Sequence, residues 1–151
     1  MASCMLAVTV ILGAGTAASA SDIDNLYSPE ACKSPDYSSF KFTIHYNSGQ
    51  AGAYRNLGYS IWDFADAPDG VNGTAVPLDF CTSSVSSGVP GAGQHIKNNA
   101  ASAENFHYKY WARVYYNSGY KGPQDVMAPY QHIDRFVNVY NENASFQWTS
   151  S

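Results

Sequence analysis

Charge is scarce in this chain. Only 13% of its 151 residues are charged, with eight Lys and Arg against twelve Asp and Glu and a formal net charge of −4. The basic residues are scattered. Neutralising phosphates needs clustered Lys and Arg, so nucleic acid is excluded as the main partner. Lys/Glu/Leu-rich helical stretches are missing, and the apolar run Met5 to Leu12 is too short to span a bilayer. Cysteine is limited to three residues with no Cys-x-x-Cys spacing, which disfavours a cysteine-held metal. Catalytic signatures are also lacking: there is no Gly-x-Ser-x-Gly, no His-Glu-x-x-His and no phosphate loop. Gly91-Ala92-Gly93 has no Lys-Ser/Thr after it, and His45, His95, His107 and His132 lie far apart, as surface or hydrogen-bonded residues do. The chain reads as a non-enzyme.

Aromatics are plentiful instead, at 15% with twelve Tyr, alongside Gly, Ser and Asn. That composition describes a sheet-rich extracellular protein, long enough for one domain or two small halves sharing a core. Residues 1–20 read as a signal peptide: a short apolar run, then Thr16-Ala17-Ala18-Ser19-Ala20 as a cleavage site, although Lys and Arg are absent from the segment. Cys4 would leave with it. The remaining Cys32 and Cys81 are then expected as a disulfide, worth about 4 kcal/mol for a loop of this length. Secretion is the expected localisation.

Two stretches repeat each other seventy positions apart, Ile44-His45-Tyr46-Asn47-Ser48-Gly49-Gln50-Ala51-Gly52 and Val114-Tyr115-Tyr116-Asn117-Ser118-Gly119-Tyr120-Lys121-Gly122. Each is followed by Asn-x-x-x-Ser, Asn98 to Ser102 and Asn141 to Ser145. Phe40, Phe42, Ile44 and Tyr46 alternate with polar positions as a half-buried strand, turning at Asn47-Ser48-Gly49 into a second strand over Tyr54 to Tyr59. Tyr110 to Tyr116 and its turn at Asn117-Ser118-Gly119 behave likewise, with a later strand expected from Ile133 to Tyr140. Residues 21–37, with Pro29 and Pro35, read as an extended N-terminal arm. Asn98 to Asn105 reads as a turn or two of helix. Gly52 to Ser102 spans 50 positions and Gly122 to Ser145 only 23, so copy one carries about 27 extra residues between Asp66 and Gln94. These read as an ordered surface loop rather than added core. Repeat one is expected over about 38–105 and repeat two over about 106–151.

A strand ending in Tyr-Asn-x-x-x-x-Gly and followed by Asn-x-x-x-Ser, occurring twice, resembles the βγ-crystallin-type double Greek key. More narrowly, it is similar to a family of secreted actinobacterial metallopeptidase inhibitors. Tyr46, Gly52, Asn98, Asn99 and Ser102 carry the match in copy one, and Tyr116, Gly122, Asn141 and Ser145 in copy two. The resemblance implies an all-β, duplicated Greek-key sandwich of bacterial origin, with a long loop insertion in the first repeat. It implies a peptidase as partner and a rigid reactive loop. The segment beside Cys81 is the candidate, with Ser83, Ser84, Val85, Ser86 and Val89.

The same resemblance implies calcium as a cofactor, held by a loop of pattern Asn/Asp-Asn/Asp-x-x-Ser/Thr-Ser. Asn98, Asn99 and Ser102 fit, as do Asn141 and Ser145, but Ala103 and Phe146 replace the last Ser. Ca²⁺ takes six to eight oxygens, and Asn in place of Asp lowers the charge offered. Asp63, Asp66 and Asp69 form a second oxygen-rich stretch. Alternative readings are a toxin-like or carbohydrate-binding module using Tyr108-Lys109-Tyr110-Trp111 and Tyr115-Tyr116 on a cell-surface target, and a structural coat protein. Asn72-Gly73-Thr74 and Asn143-Ala144-Ser145 are glycosylation sequons.

Overall fold

A computed structural model describes residues 20–68, 75–83 and 87–151. The expected signal segment therefore lies outside the described residues up to Ala20, as do Cys4 and the sequon at Asn72. Strands β1 (Phe42–Asn47) and β2 (Ala51–Leu57) form one hairpin, and β6 (Trp111–Asn117) and β7 (Lys121–Met127) form the other. Between them come the short pair β3 (Ala67–Pro68) and β4 (Ala75–Val76), and then β5 (Ser102–Asn105). After β7 follow β8 (His132–Ile133) and β9 (Ser145–Thr149). The first sheet has the order β2-β1-β5-β8, the second β7-β6-β9.

The two copies exchange their third segments. β8, from copy two, pairs with β5 on the edge of the first sheet. Ile61, from copy one, bridges Phe146 of β9 on the edge of the second. Each copy is thus hairpin, crossover to the opposite sheet, and return beside its own first strand, which is a Greek key. The backbone bonds repeat in register. Gly49 N–H donates to the Asp134 carbonyl (2.7 Å) and Gly119 N–H to the Trp62 carbonyl (2.8 Å). Phe64 N–H donates to Ala144 (2.8 Å) and Phe136 N–H to Ala101 (2.9 Å). The duplicated all-β sandwich follows from this pairing.

One core lies between the sheets. Phe42 stacks on Phe146 with centroids 4.2 Å apart, joining the first strand of one copy to the last of the other. Ile44, Leu57, Phe64, Val114, Met127 and Phe136 surround them, all essentially sealed from solvent. Each such side chain contributes about 1.5–3 kcal/mol by burial. Neither copy has a closed core of its own.

Four expectations are corrected. The arm is not extended: residues Ala20–Tyr27 form a helix, α1, followed by 3-10 turns at Pro29–Cys32 and Pro35–Tyr37. The prolines occupy first-turn positions, where their missing N–H costs nothing. The arm docks through polar bonds. Arg55 donates to the carbonyls of Asn25, Leu26 and Asp79, and Asn56 donates to those of Glu30 and Lys33. Burial pushes the Arg55 guanidinium down to about 10, against the opposing pull of Asp79. Arm docking also explains why Thr43, expected on a wet face, is buried: it donates to Asn56, which the arm covers.

The insertion is not simply a surface loop. Leu78, Phe80 and Ile96 are buried in the main core. Ile96 N–H donates to Leu78, Phe80 N–H to Gln94 and Gly93 N–H to Phe80, so residues 78–81 and 90–96 form a hairpin-like stem. Its period of two, Leu78 and Phe80 against Pro77 and Asp79, carries this burial. Residues Ser102–Asn105 are a strand rather than a helix, because Ala101, Ala103 and Asn105 meet the existing edge of β1. Finally, the strand expected from Ile133 to Tyr140 is only His132–Ile133. Asp125 accepts the N–H groups of Val137, Asn138 and Val139, which curls the backbone away from the sheet.

Candidate functional site

The repeated turns converge at one end of the sandwich. Gly49 and Gln50, and likewise Gly119 and Tyr120, sit at positive φ, with a register shift just before each turn. Ser102 Oγ accepts from Gln50 N–H (3.1 Å) and donates to the Asn47 carbonyl (2.6 Å). Ser145 repeats this with Tyr120 N–H (3.2 Å) and the Asn117 carbonyl (2.8 Å). Both Ser side chains are therefore bolts closing the folded hairpins.

The two Asn loops interlock. Asn98 N–H donates to the Asn143 carbonyl (2.7 Å), and Asn141 N–H donates to the Ala100 carbonyl (2.9 Å). Asn98 and Asn141 both have left-handed backbone, φ 59 and 54. Asn143 is fully buried; its Oδ1 accepts from the N–H groups of Asn99 and Ala100, and its Nδ2 donates to Ile96. The sequon at Asn143 is thus sealed in the folded chain.

Beside these loops lies a cleft of about 380 Å³, lined by residues of both copies, Lys97 and Asn98 on one side and Tyr116, Asn117, Ser118, Asn141 and Glu142 on the other. Lys97 Nζ donates to both carboxylate oxygens of Asp63 (2.8 and 3.0 Å) and to Ser118 Oγ (3.1 Å). Burial would raise the Asp63 carboxyl, but bonds from Lys97, Ala65 N–H and Ser118 outweigh it and hold the group below its ordinary range. In the other copy the corresponding pair is Arg135 over the Tyr140 ring, 4.2 Å from its centroid.

The donor set fits calcium poorly. The Ser102 and Ser145 hydroxyls bolt the hairpins, and Asn99 donates its amide to Gln94 and His95. Ala103 and Phe146, standing where the motif has Ser, are buried apolar residues. Asp63 of the oxygen-rich stretch is already neutralised by Lys97, and Asp69 lies outside the described residues. Asn98, Asn141 and Glu142 keep exposed side chains. Among the described residues no group of three or more His, Cys, Asp or Glu is placed to hold a metal.

The candidate reactive loop sits elsewhere, at the tip of the stem. Cys32 and Cys81 are disulfide-bonded, as expected. Cys81 N–H donates to Tyr54 and Ala53 N–H donates to Pro90, so both ends of the loop are fixed to neighbouring residues of β2. Ser83 Oγ donates to the Cys32 carbonyl (3.3 Å), and Val89 is exposed. Ser84, Val85 and Ser86 lie outside the described residues. Gly91 is packed against the Tyr46 ring at φ 90, leaving no room for a Cβ.

A third cluster surrounds His107, whose ring contacts Tyr108, Tyr110 and Trp148. Its Nδ1 accepts from the N–H groups of Lys109 and Tyr110. Lys97 and Trp62 were missed as site residues at the level of sequence. Asp63 stood out only as part of an oxygen-rich stretch, and nothing local announces that a lysine 34 positions away will meet it.

No family model and no curated protein sequence matches the chain. Among solved structures it is similar to a βγ-crystallin from Ciona intestinalis, at 13% identity and a TM-score of 0.46, over 72% of this chain and 99% of that one. A βγ-crystallin domain from Flavobacterium johnsoniae gives 12% and 0.45, over 73% and 94%. The N-terminal domain of Protein S gives 14% and 0.45, over 73% and 96%.

Proposed function

We propose that the protein is a secreted, non-enzymatic binding module that inhibits a peptidase through the loop from Thr82 to Pro90. One observation carries this reading: the loop leaves and returns on adjacent residues of β2, Tyr54 and Ala53, beside the Cys32–Cys81 disulfide. Fixing the two ends of a loop lowers the freedom it loses on entering a cleft, which favours tight binding. Export is consistent with the disulfide, and no described helix is long and apolar enough to cross a membrane.

The test is a panel of metallo- and serine peptidases assayed with the intact chain. Inhibition at or below micromolar protein, weakened at least tenfold by Val89→Ala or by reduction of the disulfide, is the expected result. A flat panel at micromolar protein overturns the proposal, and so does inhibition that ignores both changes.

A further inference from the structure

The cleft between the copies is separate from the stem loop and has its own chemistry. Its charge is already balanced from within. An ammonium has three donors, and those of Lys97 face Asp63 Oδ1, Asp63 Oδ2 and Ser118 Oγ. The carboxylate a cation would seek is therefore occupied, and the ammonium an anion would seek is quenched. The carboxylate left in the cleft, Glu142, is exposed and repels anions further. What remains unspent is neutral and polar: the amides of Asn98 and Asn141 make no side-chain hydrogen bond among the described residues.

The aromatic wall points the same way. Tyr46 and Tyr116 are equivalent in the two copies. The insertion stem covers Tyr46, with Gly91 against its ring and Phe80 edge-on at 5.7 Å. Copy two has no stem, so Tyr116 is 38% exposed and lines the cleft. Trp62, which does not itself line the cleft, is 61% exposed; it packs against Gly119, the neighbour in sequence of Ser118 in the cleft wall, and edge-on to Tyr120 at 5.4 Å. A small polar cleft with flat aromatic faces and free amides matches a ligand that has apolar C–H faces and hydroxyl edges.

We propose that this cleft binds a neutral carbohydrate, with Tyr116 and Trp62 stacking on sugar faces and Asn98 and Asn141 hydrogen-bonding its hydroxyls. The left-handed backbone of both Asn allows a clean probe: Asn98→Gly and Asn141→Gly remove the amides without straining the turn. The labelled full chain is applied to an array of gluco-, galacto-, manno- and N-acetylglucosamine oligosaccharides, and the strongest binder is titrated calorimetrically. Binding is expected to be insensitive to EDTA and to fall at least tenfold in Tyr116→Ala and in the double Gly variant, whose thermal unfolding is checked in parallel. An array with no signal above background overturns the proposal. So does binding that both variants retain, or binding that requires added Ca²⁺.

Discussion

Lys97 and Asp63 come from opposite ends of the insertion, and the ammonium of one lies 2.8 and 3.0 Å from the two carboxylate oxygens of the other. The pair closes the insertion much as the disulfide closes the arm. Through Ser118 it also reaches the hairpin of the second copy. Both side chains are mostly shielded, so the pair is worth more than a surface ion pair.

Lys97→Met is accordingly expected to destabilise the fold by about 1–3 kcal/mol, since it strands a partly buried carboxylate. The pH dependence has a definite sign. Asp63 is held below its ordinary value in the folded chain, so its stabilisation is present above pH of about 4 and is lost as pH falls through the lowered folded value. Urea unfolding from pH 7 downward should show a loss of stability below about pH 4 that is smaller in Lys97→Met. Addition of Ca²⁺ should leave the melting temperature of the natural chain unchanged.

The two Ser bolts make a second prediction. Ser102 and Ser145 are fully buried, and each joins an N–H and a carbonyl of a folded hairpin. Ser102→Ala and Ser145→Ala should each cost about 1–3 kcal/mol. Because the sites lie in different hairpins, the double variant should lose close to the sum in chemical denaturation. A loss at one site alone would mean that the copies are not mechanically equivalent.

The repeat made the double Greek key legible, because Tyr, Gly and Ser recur wherever a hairpin bends and is sealed. What the sequence hid was long-range. Ile133 read as the start of a strand running to Tyr140, and nothing local shows that His132-Ile133, or Ile61 in the first copy, crosses to the other sheet. The insertion read as a loop because its Pro, Gly and Ser outweigh the two alternating residues, Leu78 and Phe80, that enter the core. The arm read as extended because prolines that start a 3-10 turn look the same as prolines that prevent a helix. The Asn loops were found, but their side chains serve different ends: Asn143 seals the inside while Asn98 and Asn141 stay exposed. Lys97 was invisible until folding brought Asp63 to it.

Gly91 and Gly88 separate collision from backbone strain. Both have positive φ, 90 and 77, but a Cβ at Gly91 meets the Tyr46 ring, whereas at Gly88 it meets nothing. Gly88→Ala should cost about 1–2 kcal/mol, the strain of left-handed backbone alone. Gly91→Ala should cost about 3 kcal/mol, adding overpacking. It should also loosen the base of the stem, so hydrogen exchange at Ala53 N–H, which bonds the Pro90 carbonyl, is expected to accelerate in Gly91→Ala but not in Gly88→Ala.

His107 gives the chain a second, milder pH response. Burial first, and then the nearby charges of Lys109 and Lys41, hold its imidazole below the ordinary value of 6.5. Its Nδ1 accepts two backbone N–H groups, so a proton there would remove both hydrogen bonds. Between its lowered folded value and 6.5 the unfolded chain binds more protons than the folded one, so stability rises with pH across that window and is flat above it with respect to this group. His107→Asn keeps an acceptor for the two N–H groups but cannot titrate. Its stability at pH 7.5 should fall through loss of ring contacts with Tyr108, Tyr110 and Trp148, while the rise in stability on going from pH 5 to 7 should shrink. An unchanged slope in His107→Asn would overturn the assignment of that response to His107.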